Sequence, residues 1–210
     1  LIIPANTLAS GGYAVDNSLV WGNSSDDYHL KKTAKAGDRR QTTISLWVKR
    51  GALGNTTYGS GQKIYNHYNS TNSEFTFYFD SNDKFNVNSY ESAHQLLLTT
   101  NRLFRDVSAW YNIICAIDTD QATDTNRAKI YVNGVQETSF TTATYPSQNA
   151  DLNLNRSTSY SDQIGRRGNG NDYFEGTLSE VCLVDGLQLG ADSFGEFDED
   201  SGIWKPKSVS

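Results

Sequence analysis

The 210-residue chain reads as all-β, a two-sheet antiparallel β-sandwich with almost no helix. Three observations predict this. Short apolar and aromatic runs recur at a spacing of about 10 residues between clusters of turn formers, the rhythm of sandwich strands. Asn133-Gly134 lies between two apolar segments, and both central positions of a type I′ hairpin turn need φ > 0. Aromatic residues make up 12% of the chain, Tyr, Asn, Thr, Ser and Gly are abundant, and only 3 Pro occur, which suits short strands joined by polar turns.

Taken in order, the first 12 residues are broken by Pro4 and end in Gly11-Gly12, so they are expected to form an arm or linker. One domain with a C-terminal tail is expected over 13–210. Segments 13–21 and 28–32 read as a pair of strands around a polar turn. Segment 42–49 reads as a long strand with Ile44, Leu46 and Val48 on one face and Trp47 on the other. Segments 63–68, 74–79, 85–90 and 94–104 are further strands. Segment 110–117 is almost wholly apolar and β-branched or aromatic, as in a strand covered on both faces. A polar loop over 118–126 leads to a half-buried strand over 128–132, and Val132 and Val135 should face one another across the Asn133-Gly134 turn. Segment 141–151 is polar and reads as a loop. Segments 152–155, 163–165 and 173–184 complete the strands, and residues 191–194 carry the only hint of helix. Trp47, Trp110, Ile113, Cys115, Ile130 and Val132 are expected in the core, with Trp21 ending a strand and Trp204 packing the tail down.

The formal net charge is -6, and Lys and Arg are scattered apart from pairs such as Lys31-Lys32 and Arg166-Arg167. Nucleic acid wants a continuous basic stripe, so no nucleic-acid partner is expected. No apolar run of about 18 residues occurs, so no helical membrane span is expected. The two cysteines, Cys115 and Cys182, each lie in an apolar strand and read as small buried hydrophobes rather than a disulfide. The chain has no Met and its start has no basic n-region, so it reads as a processed product or a piece of a longer protein.

W-Y-N-I-I-C-A-I-D over 110–118 and R-A-K-I-Y-V-N-G-V over 127–135 resemble the central hairpin of the concanavalin A-like lectin/glucanase superfamily, in its laminin G-like, pentraxin-like branch. T-I-S-L-W-V-K-R over 43–50 and F-E-G-T-L-S-E-V over 174–181 agree with it. D-G-L-Q-L over 185–189 and S-F-G-E-F-D-E-D-S-G-I-W-K-P over 193–206 are similar to the end of laminin G-like domains in structural proteins of marine bacteriophages. The resemblance implies a concanavalin A-like jelly roll. It further implies a non-enzymatic structural or adhesion module, a fibre or capsid-decoration protein on the virion surface, made in the host cytoplasm. The implied partners are other virion proteins, copies of the same chain (a trimer, by analogy with viral fibres) and host-surface glycans. A purely architectural virion protein and a β-glucanase-like hydrolase are the alternatives.

Glucanases of that superfamily carry E-x-D-x-E on a strand, whose alternation lines up the carboxylates as nucleophile, helper and acid. Here Glu196-Phe197-Asp198-Glu199-Asp200 lacks the last Glu and runs into Asp-Ser-Gly, so a solvated acidic loop is expected and no catalytic residue is assigned. Asp118, Asp120 and Asp124 share one loop and offer the oxygen ligands that Ca²⁺ takes, the only cofactor the sequence suggests. They do not form an EF-hand, since Thr123 and Lys129 stand at its Gly and Glu positions. Asp26-Asp27, the 80–83 turn and the 169–172 turn are rival sites, and ordinary Asx turns are the commoner use of such residues. His29, His67 and His94 are isolated, which excludes a zinc pattern. With the tryptophans assigned to structure, aromatics for stacking on a sugar must come from Tyr58, Tyr65, Tyr68 and Tyr90 on one side, and Tyr160 and Tyr173 on another.

Overall fold

Alternation of apolar and polar residues builds the strands, and the computed structural model describes them over residues 13–22, 29–54, 61–156 and 159–209. In chain order they are β1 (Leu19–Trp21), β2 (Leu30–Thr33), β3 (Gln41–Arg50), β4 (Gln62–Ser70), β5 (Ser73–Phe79), β6 (Lys84–Glu91), β7 (His94–Leu103), β8 (Tyr111–Asp118), β9 (Ala128–Val132), β10 (Val135–Glu137), β11 (Phe140–Thr144), β12 (Ser161–Ile164), β13 (Gly176–Asp185), β14 (Gly195–Phe197) and β15 (Trp204–Pro206). Single 3-10 turns occur at Asp124–Asn126 and Ala191–Ser193.

The six-stranded sheet has the order β1-β13-β3-β8-β9-β10 and the seven-stranded sheet the order β11-β7-β6-β5-β4-β12-β2. Between them, Ile44, Leu46 and Val48 of β3 and Ile113, Cys115 and Ile117 of β8 meet Phe75, Phe77 and Phe79 of β5 and Leu96 and Leu98 of β7. Their every-second-residue spacing puts each set on one face of its sheet. Edge-on rings such as Phe77 and Phe85, with centroids 5.6 Å apart, lock this layer.

β8 is covered on both faces, as its composition predicts. Ile114 points away from the main core into a second cluster with Ala191, Phe194 and Trp204, against which Trp47, Tyr131 and Cys182 pack. The tail hairpin β14-β15 supplies this outer cover. Cys115 and Cys182 are unpaired and lie in different clusters on opposite faces of one sheet. The Asn133-Gly134 turn takes the left-handed conformation at both residues (φ 48° and 80°) and sets Val135 opposite Val132.

Several expectations need correction. The first two strands are shorter than read and do not share a sheet, since β1 pairs with β13 and β2 with β12. Segment 152–155 is not a strand. Its backbone and amide side chains bond to the end of β6 and to the loop before β3 instead, with Asn153 Nδ2 donating to the Tyr90 carbonyl (2.6 Å) and Asn155 Nδ2 to the Asp38 carbonyl (2.7 Å). Conversely, Phe140–Thr144 forms an edge strand on β7 although its start at 141 reads as loop. Ile113, Cys115, Ile130 and Val132 are buried and Trp47 is half-buried, but Trp110 is 37% exposed. It precedes the first residue of β8 and stands on the outer side of the six-stranded sheet beside Trp47. The arm over 1–12 lies outside the described residues.

Candidate ligand-binding site

On β3, Leu46 and Val48 take the core, so Trp47 between them points outward. Its strand neighbours are Asn112 of β8 and Ser179 of β13. The Ser179 hydroxyl donates to the Asn17 carbonyl (2.6 Å) and ties down the segment that leads into β1. Asn112 is fully buried. Its amide nitrogen donates to the Leu46 carbonyl (3.2 Å), and its amide oxygen accepts from Trp204 Nε1 (3.0 Å). The Asn112 backbone N–H donates to Asn133 Oδ1 (2.7 Å), which links the hairpin turn to the same residue. Trp204 fits because Gly134 and Gly195 carry no Cβ, and a Cβ at either would enter its ring. Phe197 closes on it edge-on at 4.9 Å.

Trp204 is thus fixed, Trp47 partly covered and Trp110 open. The three border a cleft of about 350 Å³ with Asp16, Asn17 and Ser18 on one rim and Lys205 and Pro206 on the other. Lys205 Nζ lies 3.1 Å from Asp198 Oδ2 and 3.5 Å from Glu196 Oε1. The Ser201 backbone N–H, the Lys205 ammonium and the Ser201 hydroxyl together hold the Asp198 carboxyl down to about 2, and the same carboxylate raises Lys205 above its ordinary value. Indole faces ringed by carboxylate, amide and hydroxyl groups suit a ligand with apolar C–H faces and equatorial hydroxyls, that is, a pyranose.

The tyrosines expected to stack on sugars are dispersed. Tyr65 is buried in the core, its ring edge-on to Phe75 and Phe77 and its hydroxyl donating to Asp162 (2.9 Å). Tyr160 is buried and stacked on His67 (4.8 Å), and Tyr173 is buried as well. None of these three offers an open ring face. Tyr68 and Tyr90 do come together: both oppose Glu74 of β5, one from each side, on the outer face of the seven-stranded sheet. That face is closed by the loop before β13. Arg167 pairs with Glu74 and lies 3.5 Å from Asp172, the Gly168 N–H donates to Asn66 Oδ1 (2.8 Å), and the Gly168 backbone rests on the Tyr68 ring. Tyr58 lies outside the described residues.

The three aspartates expected to hold Ca²⁺ do not converge. Asp118 accepts from the Asp120 backbone N–H (3.0 Å) and from Gln121 Nε2 (2.6 Å), Asp120 pairs with Arg40 (3.6 Å), and Asp124 accepts from the Thr125 N–H (2.7 Å). Among the described residues no group of three or more His, Cys, Asp or Glu could hold a metal ion. Asx turns and ion pairs consume these oxygens first. The acidic stretch around Glu196 forms the β14-β15 hairpin, where Asp198 caps the turn through the Asp200 and Ser201 N–H groups instead of lining a cleft with Glu196 and Asp200. Sequence reasoning assigned Trp47, Trp110 and Trp204 to structure. The available signal was Trp47 alternating out of phase with Ile44, Leu46 and Val48.

Two apposed antiparallel sheets with an aromatic cleft on the outside define a lectin-like jelly roll. Residues 22–188 match the Laminin_G_3 family of the concanavalin A-like lectin/glucanases superfamily, and the chain belongs to that family. No curated protein matches it. Its fold is similar to a heptameric SAP-like pentraxin from Limulus polyphemus (TM-score 0.56, 15% identity, covering 82% of this chain and 76% of that one). It is also similar to domain 4 of the arabinanase AbnA from Geobacillus stearothermophilus, solved with arabinotriose (0.52, 15%, 83% and 85%). A third similar structure is the CBM40 of the Ruminococcus gnavus IT-sialidase bound to α2,3-sialyllactose (0.52, 15%, 78% and 95%).

Proposed function

We propose that the chain is a non-catalytic glycan-binding module whose ligand sits in the cleft formed by Trp47, Trp110 and Trp204. The observation that carries this reading is Trp110, a large aromatic left 37% exposed at the mouth of a cleft with polar rims. An isolated exposed aliphatic side chain is ordinary, whereas a half-open tryptophan in a cleft shared with two others marks a binding surface. The family, and the saccharides bound to two proteins of similar fold, support the same reading. We further propose that the module serves as an adhesion or decoration protein on a virion surface. That step rests on the likeness of 185–206 to marine-phage structural proteins, and in it weak sugar contacts are multiplied by symmetric copies.

A glycan array probed with the wild type and with Trp110→Ala tests the binding reading. The expected result is binding to a subset of saccharides and a loss of about tenfold or more in the variant. A blank array for the wild type sinks glycan binding and leaves the architectural alternative. Release of reducing sugar from β-glucan would overturn the non-catalytic assignment. Electron microscopy of virions labelled with an antibody to the chain tests its surface location, and particles that lack the label overturn it.

A further inference from the structure

The cleft carries an asymmetry of charge that bears on which saccharides it admits. Asp16 lines one rim, is exposed, and makes no ion pair among the described residues. Among the described residues the only cation on the lining is Lys205, and its ammonium is shared by Asp198 and Glu196 at 3.1 and 3.5 Å. Asp198 stays ionised down to about 2, so this neutralisation holds at all physiological pH. Glu180, beside the lining residue Ser179, accepts a hydrogen bond from the Tyr13 hydroxyl (2.6 Å) and adds a further carboxylate nearby. Arg166 and Arg167 lie in the loop between β12 and β13, where Arg167 is committed to Glu74 on the outer face of the opposite sheet. The aromatic walls reinforce the same sign, because an indole face attracts cations and repels anions through its quadrupole.

Building on the glycan-binding reading, we infer that the cleft selects cationic and neutral saccharides and rejects acidic ones, with Asp16 as the specificity-determining residue. A free 2-amino group on a hexosamine would find both the Asp16 carboxylate and a tryptophan face. The carboxylate of a sialic or uronic acid would meet Asp16 with no free cation among the described lining residues to balance it.

Titration calorimetry with three probes tests this: a β1,4-linked glucosamine dimer, cellobiose and α2,3-sialyllactose. The expected order of affinity is glucosamine dimer, then cellobiose, then sialyllactose, with about three- to fivefold between the first two, the size of an exposed charge pair. Asp16→Asn should remove the preference for the amine, bringing the glucosamine dimer and cellobiose within about twofold of each other, and should leave Tm unchanged, since Asp16 is exposed and makes no ion pair among the described residues. Raising the salt from 0.05 to 0.5 M should narrow the same gap. Sialyllactose binding as tight as that of cellobiose, or an amine preference unchanged in Asp16→Asn, overturns the inference while glycan binding stands. If none of the probes, and nothing on the array, binds, the glycan-binding reading fails and this inference fails with it.

Discussion

Lys63 is the residue at which burial and charge oppose each other most directly. It is 3% exposed on β4, its ammonium lies over the Tyr78 ring at 3.4 Å, and its backbone N–H donates to the Asp172 carbonyl. Burial lowers its pKa from 10.5 to about 8, against the partial support of Glu74 and Asp172. The unfolded lysine holds its proton up to about 10.5, so between pH 8 and 10 the unfolded state binds more protons than the folded one. Lys63 therefore contributes a rise in stability with pH across that window, opposed by Cys115 and Cys182, whose thiols burial pushes up from 9.0. Above about pH 10 the sign reverses, because burial pushes Tyr65 up and Tyr78 up to about 12, and the unfolded chain then loses protons that the folded chain keeps. Thermal melts of wild type and Lys63→Met from pH 7 to 11 check this, and the stability of the wild type relative to the variant should grow with pH between 8 and 10. Trp110 gives a second residue-scale expectation. With its ring partly in water, Trp110→Ala should cost about 1–2 kcal/mol, below the 3–5 kcal/mol typical of a fully buried tryptophan. Chemical denaturation measures the difference.

Among the elements, the loop between β12 and β13 decides how the seven-stranded sheet is used. Its Arg167 reaches across the outer face to Glu74, whose side chain is 4% exposed, and its Gly168 lies against Tyr68 because any side chain there would strike the ring. A buried pair of this kind is costly to break and nearly neutral to replace as a unit. Glu74→Ala should destabilise by about 3 kcal/mol, since Arg167 loses its main partner, while the double variant Glu74→Met/Arg167→Met should cost markedly less. A double-mutant cycle by urea unfolding gives both numbers. Equal losses in the single and double variants would mean that the pair is not what holds the loop down.

For the whole molecule, the central feature is that residues 15–18 and β15 meet over one face. Residues 15–18 approach the outer side of the six-stranded sheet from one direction and β15 from the other, with Trp204 hydrogen-bonded to Asn112 in the middle. The sandwich core does not need this cover, as the main cluster draws on neither β14 nor β15. Removing residues 195–210 should therefore leave the β-sheet circular dichroism intact and lower stability by about 3–5 kcal/mol, the scale of losing a buried tryptophan. Saccharide binding should vanish, because one wall of the cleft goes with the tail. A truncated chain that binds sugars as the full chain does would show that Trp204 and Lys205 take no part in the site.

Local chemistry alone determined the sandwich class and much of the strand plan. Alternation placed Ile44, Leu46 and Val48 inward and Trp47 outward, and Asn133-Gly134 specified its turn because few other residues accept φ > 0 twice in succession. Resemblance to known proteins added the family. The sequence could not say that Tyr65 faces the core while Tyr68 and Tyr90 share the outer face. A register shift between Lys63 and Tyr65 resets the alternation of β4, and such a bulge leaves no compositional mark. Nor could it say that Trp110 stays open, although Trp204 packing the tail down is expected and is found. Both read as large apolar residues beside a strand, and their exposure depends on where a hairpin 90 residues downstream comes to rest. Burial of a strand's core face follows from its own period, whereas a cleft belongs to surfaces far apart in the chain, so only the tertiary structure decides it.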